Sequence, residues 1–507
     1  MERFWKEFDK GGILRIRDQL QFEIQSNFYH LPNIGETIQT QEFYFFIPNS
    51  LQINPETYSK EQFYQDQTNL IRFKTPEFTL NELLSPSNSR SPLHRLGAWI
   101  KDNKVDLSLH DKIQDELQLF GSILKSSIRQ RVKGIILQLD PRLFPQKNQA
   151  LREEIFSFVN ELQKILETYT HLQNEYKKFN APYYTYFYYV EEFISNEVNY
   201  YLTILLERIR ALKGEDFFEV DKMLCTFILQ EKQQRYARNQ EPELNNPDSL
   251  KNEFISHQNN LLKKFVTTAL LPDVMRISSD SKIKNWIGSF SAAIAMFFYL
   301  VLFIWGGSIF VINSFPFVVV TVVFYVLKDR LKEGLKSISH RQTLKWISDY
   351  ITQIRFRNER EVLGNIRESF TYVTPNKIPS EIVQVRNQEF HSTLESFKRP
   401  ENVFYYKKMV SVYHKEGEEH ARRHELHNVF RFNIHTFLQK AANPYFKYTS
   451  LDPETHQLVI SLLPKVYHIN IILKNTFQIS KNRSKTNLKK FRLIIDKTGI
   501  KRIEEIK

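Results

Sequence analysis

The chain has 507 residues, a net charge of +13 and a single cysteine, Cys225. This length exceeds one ordinary hydrophobic core, so we expect at least two domains. The apolar fraction of 42% excludes a largely disordered chain, and one cysteine excludes an intramolecular disulfide.

The first 95 residues predict a mixed α/β region that ends in a linker. Residues 13–17 and 42–47 combine β-branched and aromatic residues, a composition that favours strands. The linker is predicted at 85–92, which is rich in serine and proline. The N-terminus is charged and has no apolar segment, so we expect no secretory signal peptide.

Residues 105–281 predict a helical bundle on the cytoplasmic side of a membrane. Apolar residues recur at helical spacing in several segments of this region, and a polar stretch at 239–249 interrupts them. A tyrosine cluster at 183–189 opens one helix. We interpret it as core and bundle surface, because no basic residues alternate with the rings as a base-stacking site would require.

Residues 286–327 predict a transmembrane hairpin with spans at 286–305 and 308–327. No charged residue occurs from Asn285 to Leu327, and a span needs about 20 apolar residues. The Gly306-Gly307 pair predicts the turn between the spans. Basic residues flank the run on both sides, which predicts a multi-pass membrane protein with both large flanking regions in the cytoplasm.

Three sets of residues are candidates for the contacts of this hairpin. Aromatic residues near the span ends predict positions at the membrane interface: Trp286, Trp305 and Tyr325. Small residues on the first span predict a helix-packing face: Gly288, Ala292 and Ala295. Basic residues after the second span predict contact with anionic lipid headgroups: Lys328, Arg330 and Lys332.

Residues 328–358 predict a juxtamembrane helix, and residues 359–507 predict a β-rich cytoplasmic domain. Short runs of β-branched and aromatic residues favour strands in the latter. The stretch 481–507 is strongly basic, and we expect a solvated tail that meets lipid in preference to nucleic acid. The predicted fold class is therefore an α+β membrane protein: an N-terminal mixed region, a helical bundle, a two-helix transmembrane hairpin and a β-rich C-terminal domain.

One histidine-rich segment has the spacing of a metal site. Four residues at positions i, i+4, i+8 and i+11 would share one helix face and are the candidate ligands: Glu416, His420, His424 and His427. Ala421 occupies the position where zincins have a catalytic glutamate, and Arg422 and Arg423 would oppose a bound cation. A polar, solvated helix face is therefore the favoured interpretation, and we expect no cofactor.

The sequence predicts a membrane-anchored scaffold, sensor or binding protein that self-associates and does not catalyse a reaction. It contains neither a phosphate-binding loop nor a Gly-x-Ser-x-Gly nucleophile elbow. Two alternatives remain, a metal-dependent hydrolase that uses the His414–His435 cluster and an oligomeric membrane channel or effector. The expected partners are the lipid bilayer, anionic headgroups and a second copy of the chain.

Overall fold

Two compact units make up the chain. The computed structural model describes residues 12–28, 35–102, 109–139, 148–179, 183–212, 217–237, 250–309, 314–343, 348–357, 362–389, 400–413, 422–423, 425–480 and 483–506. Unit 1 comprises residues 1–71, 272–415 and 425–507, and unit 2 comprises residues 72–271 and 416–424.

Unit 1 contains nearly all of the described β-structure. The strands of the described residues are β1 (Ile13–Ile16), β2 (Gln21–Phe28), β3 (Glu36–Pro48), β4 (Gln67–Phe73), β5 (Asp273–Ser278), β6 (Tyr350–Arg355), β7 (Val362–Val373), β8 (Glu401–Tyr413), β9 (Leu426–Asn433), β10 (Tyr445–Leu451), β11 (Leu458–Pro464), β12 (Tyr467–Ser480), β13 (Arg483–Asp496) and β14 (Gly499–Ile506).

The α-helices of the described residues are distributed over both units. They are α1 (Lys60–Asp66), α2 (Leu80–Leu84), α3 (Pro92–Lys101), α4 (His110–Gln138), α5 (Asn148–Lys177), α6 (Tyr183–Arg210), α7 (Phe218–Ala237), α8 (Leu250–Thr267), α9 (Ser279–Ile309), α10 (Phe315–Thr343), α11 (Ser380–Arg386) and α12 (His435–Gln439).

An eight-stranded sheet forms the larger layer of unit 1, in the order β14-β13-β12-β3-β8-β7-β6-β5. Strand β3 comes from the N-terminal region, yet it pairs antiparallel with β12 and β8 from the C-terminal region. Its residue Phe43 lies opposite Leu473 on one side and Tyr406 on the other. The N-terminal and C-terminal regions, which the sequence pattern predicts as separate domains, therefore share one sheet.

A four-stranded sheet, in the order β1-β2-β9-β4, supplies the second layer. Aromatic side chains fill the space between the sheets. The ring of Phe43 on β3 stacks on that of Phe430 on β9, with centroids 5.1 Å apart. Phe63 of α1 stacks on Phe370 of β7 at 4.2 Å. Alternate residues of β8, and of β3 as far as Phe43, are buried because successive side chains of a strand point to opposite faces, whereas residues 43–47 of β3 are buried on both faces.

Unit 2 is helical and contains α2 to α8. The apolar face of α4 is buried, including Ile113, Phe120 and Ile123. At Gly121 a Cβ atom would lie 2.9 Å from a Val266 side-chain carbon, so the glycine permits this close approach. In the tyrosine cluster that opens α6, Tyr183 is buried whereas Tyr184 is exposed.

The predicted two-helix transmembrane hairpin is wrong. Helix α9 continues through Gly306-Gly307 to Ile309, so the chain does not turn there. Helix α10 begins only at Phe315, which leaves the 13 residues from 315 to 327 before the first charge, Lys328. That apolar length is about 20 Å at the helical rise, too short for a bilayer core of about 30 Å.

Among the described residues, one helix is long and apolar enough to cross a membrane. It is the segment Gly288–Ile309 of α9, with 22 residues and a mean hydropathy of 2.1. The predicted multi-pass localisation with two spans is therefore wrong as well. The fold is mixed α/β with large antiparallel sheets, and the predicted fold class is corrected accordingly.

The C-terminal basic stretch is a pair of strands, where the sequence pattern predicts a strand at 490–495, a turn and a strand at 500–503, and it is not a solvated tail. Residues 483–506 form β13 and β14 at one edge of the eight-stranded sheet. Two of its basic side chains, Lys490 and Arg492, are buried, and Arg492 pairs with Glu504 at 3.3 Å. A count of basic residues cannot show this, because strand pairing decides which of them face solvent.

Candidate functional site

Helices α9 and α10 follow each other in unit 1 and connect two neighbouring strands of its eight-stranded sheet. Strand β5 runs directly into α9, and β6 follows α10 along the chain. The two strands pair antiparallel, with Ser278 opposite Tyr350. Both ends of the helical pair are therefore attached to the same sheet and must lie on the same side of any membrane.

The far part of this helical pair is apolar and exposed. We call residues 288–309 of α9 and 315–327 of α10 the apolar arm. Large apolar side chains project from both helices into solvent, among them Phe290, Ile304 and Phe315. A contiguous apolar surface that extends along two helices is typical of an interaction site, because soluble monomers rarely expose apolar patches larger than a few hundred Å².

The two helices of the apolar arm pack on each other through aromatic rings and small residues. Phe303 contacts Phe317 with ring centroids 5.5 Å apart, and Tyr299 meets Tyr325 at 6.4 Å. A Cβ atom at Gly306 would lie 3.3 Å from the Phe324 ring. The glycine pair that predicts a turn thus makes room for an aromatic side chain within a continuous helix.

The predicted helix-packing residues occupy different environments. Ala295 is buried, whereas Gly288 and Ala292 are half-buried. No atom lies within 4 Å of a Cβ built at Gly288. The part of this face around Ala295 is therefore covered within the chain, and the part around Gly288 is open.

Aromatic and basic candidates lie at the two ends of the apolar arm. Trp305 is exposed near its far end. At its near end Tyr325 is exposed, and the Lys328 Nζ lies 3.8 Å from the centre of its ring. Arg330 and Lys332 are exposed one turn further on, and Arg330 reaches Glu333 at 3.6 Å. The backbone of Trp286 is helical, but its side chain lies outside the described residues.

The histidine segment does not form one continuous helix face. Glu416, His420 and His424 lie outside the described residues, so their role as metal ligands stays a prediction. His427 lies in strand β9, opposite Asn27, and its Nδ1 is 2.7 Å from the Asn27 Oδ1. Among the side chains that the structure describes, no group of three or more His, Cys, Asp or Glu is placed to hold a metal.

Two arginines of that segment, Arg422 and Arg423, form buried ion pairs within unit 2 and do not belong to a solvated surface. Arg422 is buried and donates to both carboxylate oxygens of Glu116, at 2.6 and 3.0 Å. Arg95 contacts the same carboxylate at 3.2 Å. Arg423, also buried, pairs with Asp115. The sequence contains a signal for the buried Arg422–Glu116 pair, because the charged Glu116 lies on the apolar face of α4 between Ile113 and Phe120.

A buried polar cluster inside unit 1 has no counterpart in the sequence predictions. Lys408 on β8 lies opposite Glu368 on β7, and both side chains point into the core. The Lys408 Nζ donates to the Oδ1 atoms of Asn69 and Asn428, at 2.9 and 2.6 Å. Strand β8 alternates inward aromatic and aliphatic residues, so a lysine at an inward position is the signal that could have identified it.

The carboxylate of Glu368 is the centre of this cluster. It accepts hydrogen bonds from Tyr406 at 2.5 Å, from Asn69 at 2.6 Å and from Gln67 at 2.7 Å. Arg276 lies 3.3 Å away and covers the ring of Tyr350.

Burial lowers the pKa of Lys408 to about 7, and the Glu368 carboxylate only partly opposes this shift. A neutral amine has two N–H donors, and both are matched by the two asparagine oxygens. Because Lys408 is fully buried, its amine does not reach solvent and is part of the core of unit 1.

Comparison with known proteins finds no match to this chain, either among family models, among curated proteins or among solved structures.

Proposed function

We propose that this chain is a membrane-attached binding protein whose apolar arm inserts into a lipid bilayer from one side. The observation that carries the proposal is the exposed apolar surface of Gly288–Ile309, of which little is buried within the chain. Burial of such surface in hydrocarbon contributes about 25 cal/mol per Å², so insertion is strongly favourable.

One-sided insertion follows from the connectivity of the helices. Strands β5 and β6 hold both ends of the pair on one side, and the apolar part of α10 is too short to return across the bilayer. The apolar arm therefore enters the lipid and leaves on the same side. Its near end carries Lys328, Arg330 and Lys332, which favour the headgroups of anionic lipids.

The sheets and helices outside the apolar arm form most of the chain, so they hold whatever binding specificity the protein has. Attachment to a membrane raises the effective concentration of sites that bind partners on the same surface. The role proposed for the chain is therefore a scaffold or sensor, rather than an enzyme.

Flotation with vesicles tests the lipid-binding part of the proposal. The 507-residue chain, transferred from a mild detergent, is expected to float with phosphatidylcholine vesicles and to bind more strongly when phosphatidylserine is added. The variant Phe297→Asp/Ile304→Asp should stay in the dense fraction, because each charge in hydrocarbon costs about 2.5–3.5 kcal/mol. The matched control is Phe218→Asp/Phe254→Asp, since Phe254 is 69% exposed against 64% for Phe297 but lies outside the apolar arm.

Equal flotation of both variants would refute the proposal. A chain that stays in the dense fraction with either lipid, yet forms large assemblies through the same residues, would show that the apolar arm binds another protein surface.

A single cysteine at the far end of the apolar arm tests the one-sided geometry. With Cys225→Ser as background, Ser308→Cys should be shielded from membrane-impermeant maleimide on both sides of sealed vesicles. A reagent enclosed in the vesicle lumen that labels this cysteine would show that the apolar arm crosses the bilayer, which contradicts one-sided insertion.

A further inference from the structure

Strands β10 and β11 form a hairpin that stands apart from both large sheets. They pair antiparallel over their full length, from Tyr445 opposite Pro464 to Leu451 opposite Leu458. Within the described residues, neither strand pairs with a third. An isolated two-stranded sheet is marginally stable in water, so this hairpin gains stability from any surface that covers it.

Both faces of the hairpin are apolar and exposed. Leu458, Ile460 and Leu462 project from one face, and Phe446 and Tyr448 project from the other. Nine large apolar side chains of the two strands are exposed, five on one face and four on the other. At about 100 Å² each they give roughly 400–500 Å² per face, the size of the largest patch on a typical monomer, which is often an interaction site.

The charges of the hairpin argue against lipid as its occupant. Its turn carries Asp452, which accepts hydrogen bonds from the backbone N–H of Glu454 at 2.9 Å and of Thr455 at 3.3 Å. These bonds lower the pKa of Asp452, so the carboxylate stays charged near neutral pH. Lys447 adds a charge in the middle of β10. Such charges are strongly disfavoured in hydrocarbon, whereas a protein surface can leave them in contact with water.

The sequence of β11 favours pairing with the β11 strand of a second copy of the chain. From Leu458 to Pro464 it contains no charged residue, whereas edge strands normally carry charges that prevent such pairing. Two copies placed antiparallel about a two-fold axis at Ser461 align Ile460 with Leu462 and Val459 with Leu463. Ser461 then faces its own copy. Every cross-strand pair is apolar with apolar or serine with serine, the combination that stabilises a sheet.

The charges at the two ends of β11 agree with the same arrangement. Lys465 follows β11 at the base of the hairpin, and Glu454 lies in its turn, both exposed. Antiparallel pairing brings the base of one hairpin alongside the turn of the other. Each Lys465 then lies near a Glu454 of the second copy, and two-fold symmetry forms this pair twice.

We propose that β11 is a dimerisation edge, which pairs antiparallel with β11 of a second copy to form a four-stranded sheet. The remaining edges of that sheet are the two β10 strands, and Lys447 on each hinders further addition. The assembly is therefore a closed dimer. This inference does not depend on lipid binding, because the hairpin and the apolar arm are different elements.

Cysteine crosslinking tests the symmetry of the pairing. In the 507-residue chain kept in a mild nonionic detergent, with Cys225→Ser as background, Ser461→Cys should form a disulfide-linked dimer on oxidation. Ser450→Cys, on the partner strand β10, is the matched control and should crosslink far less, since its two copies lie on the outer strands. Equal crosslinking at both positions, or at neither, would overturn the proposal.

Charge reversal tests the ends of the interface. Lys465→Glu and Glu454→Lys should each weaken dimerisation about tenfold, because the reversed charge replaces an attraction by a repulsion and two-fold symmetry makes this change twice. The double variant Lys465→Glu/Glu454→Lys should restore it, and analytical ultracentrifugation measures all three. A double variant as weak as the single ones would contradict the pairing.

Vesicle flotation of Ile460→Lys/Leu462→Lys separates this proposal from the one above. A monomer that still floats supports a dimerisation edge that is independent of the apolar arm. A dimer of unchanged mass, or a polydisperse assembly of the wild-type chain, would refute the closed dimer.

Discussion

Lys408 and Glu368 lie directly opposite each other on β8 and β7, and both are buried in the core of unit 1. Their side chains do not simply neutralise each other, because the Lys408 amine donates to Asn69 and Asn428 while the Glu368 carboxylate accepts from Tyr406 and its neighbours. The Lys408 amine is buried, and the negative charge of Glu368 only partly stabilises its protonated form. The free energy of unfolding of unit 1 therefore depends on pH.

We expect the free energy of unfolding of unit 1 to rise from pH 7 to pH 9.5. In the folded chain burial lowers the pKa of Lys408 to about 7, whereas an unfolded lysine titrates near 10.4. The unfolded chain therefore binds more protons in this interval, so stability rises with pH, by at most about 1.4 kcal/mol per unit. Urea unfolding followed by circular dichroism measures it.

The control for this prediction is Lys408→Met, which should remove most of the rise whatever it does to stability at pH 7. The measurement stops at pH 9.5, because burial raises the pKa of Tyr64 and Tyr406 and makes stability fall at higher pH. An unchanged slope in the variant would show that Lys408 is not the titrating group.

Gln41 is expected to destabilise the chain, so Gln41→Met should raise the free energy of unfolding by about 1–3 kcal/mol. Gln41 lies next to Lys408 on β3, is buried, and neither polar atom of its side chain has a hydrogen-bond partner in the described part of the chain. The matched control is Gln39→Met, which loses a bond from Nε2 to the Asn475 Oδ1 at 3.0 Å and should destabilise. A loss of stability in both variants would show that Gln41 has a partner.

Local periodicity predicts elements, whereas it does not predict their pairing. The spacing of Ile113, Leu117 and Phe120 predicts a helix, and these residues lie in α4. The aromatic run at 42–47 predicts a strand, and it lies in β3. The neighbours of β3, however, are β8 and β12, more than 350 residues away in the sequence. Such contacts depend on complementary faces of distant strands, so the division into N- and C-terminal regions could not reveal the shared sheet.

The apolar arm shows a second limit of sequence interpretation. A pair of glycines favours a turn in water, but at Gly306 the absence of a side chain instead admits the Phe324 ring. Hydropathy alone also cannot locate the first residue of α10, and that residue decides whether the second helix can cross a bilayer. The buried charges of Glu116 and Lys408 can be predicted in part from the sequence, because both residues occupy inward positions of otherwise regular apolar patterns.

Glu116→Leu should destabilise unit 2 by about 3–5 kcal/mol, because Arg422 and Arg95 would keep buried charges without their shared partner. The double variant Glu116→Leu/Arg422→Met should be more stable than Glu116→Leu alone, since it removes the charge left unpaired. Thermal unfolding of the wild-type chain, both single variants and the double variant measures the coupling.

The control for that cycle is the exposed pair of Glu175, in the last turn of α5, and Lys178, just after its end, which are 2.6 Å apart. Glu175→Gln should leave the unfolding temperature almost unchanged, because solvent screens an exposed ion pair. Additive effects at Glu116 and Arg422 would contradict a direct pair.

The histidine segment is expected to hold less than one equivalent of zinc, iron or manganese in the purified chain. His427 lies in β9 with its Nδ1 beside Asn27, so the four candidates do not share one helix face, and the flanking Arg422 and Arg423 pair with Glu116 and Asp115. Elemental analysis measures the metal content. About one ion per chain, lost in His420→Ala/His424→Ala, would reverse this expectation and favour the metal-dependent hydrolase.

Gly364→Ala should lower the free energy of unfolding of unit 1 by about 1–3 kcal/mol, the usual cost of overpacking a core. Gly364 lies on β7 opposite Val412 of β8, and a Cβ there would clash with the backbone oxygen of Ser411. That oxygen cannot rotate away as a side chain would, so β8 itself must shift. The control is Gly134→Ala in α4, where no atom lies within 4 Å of the added Cβ and alanine favours the helix by about 1 kcal/mol. Urea unfolding should therefore give changes of opposite sign, and a neutral Gly364→Ala would show that β7 and β8 do not approach this closely beside the buried Lys408 and Glu368.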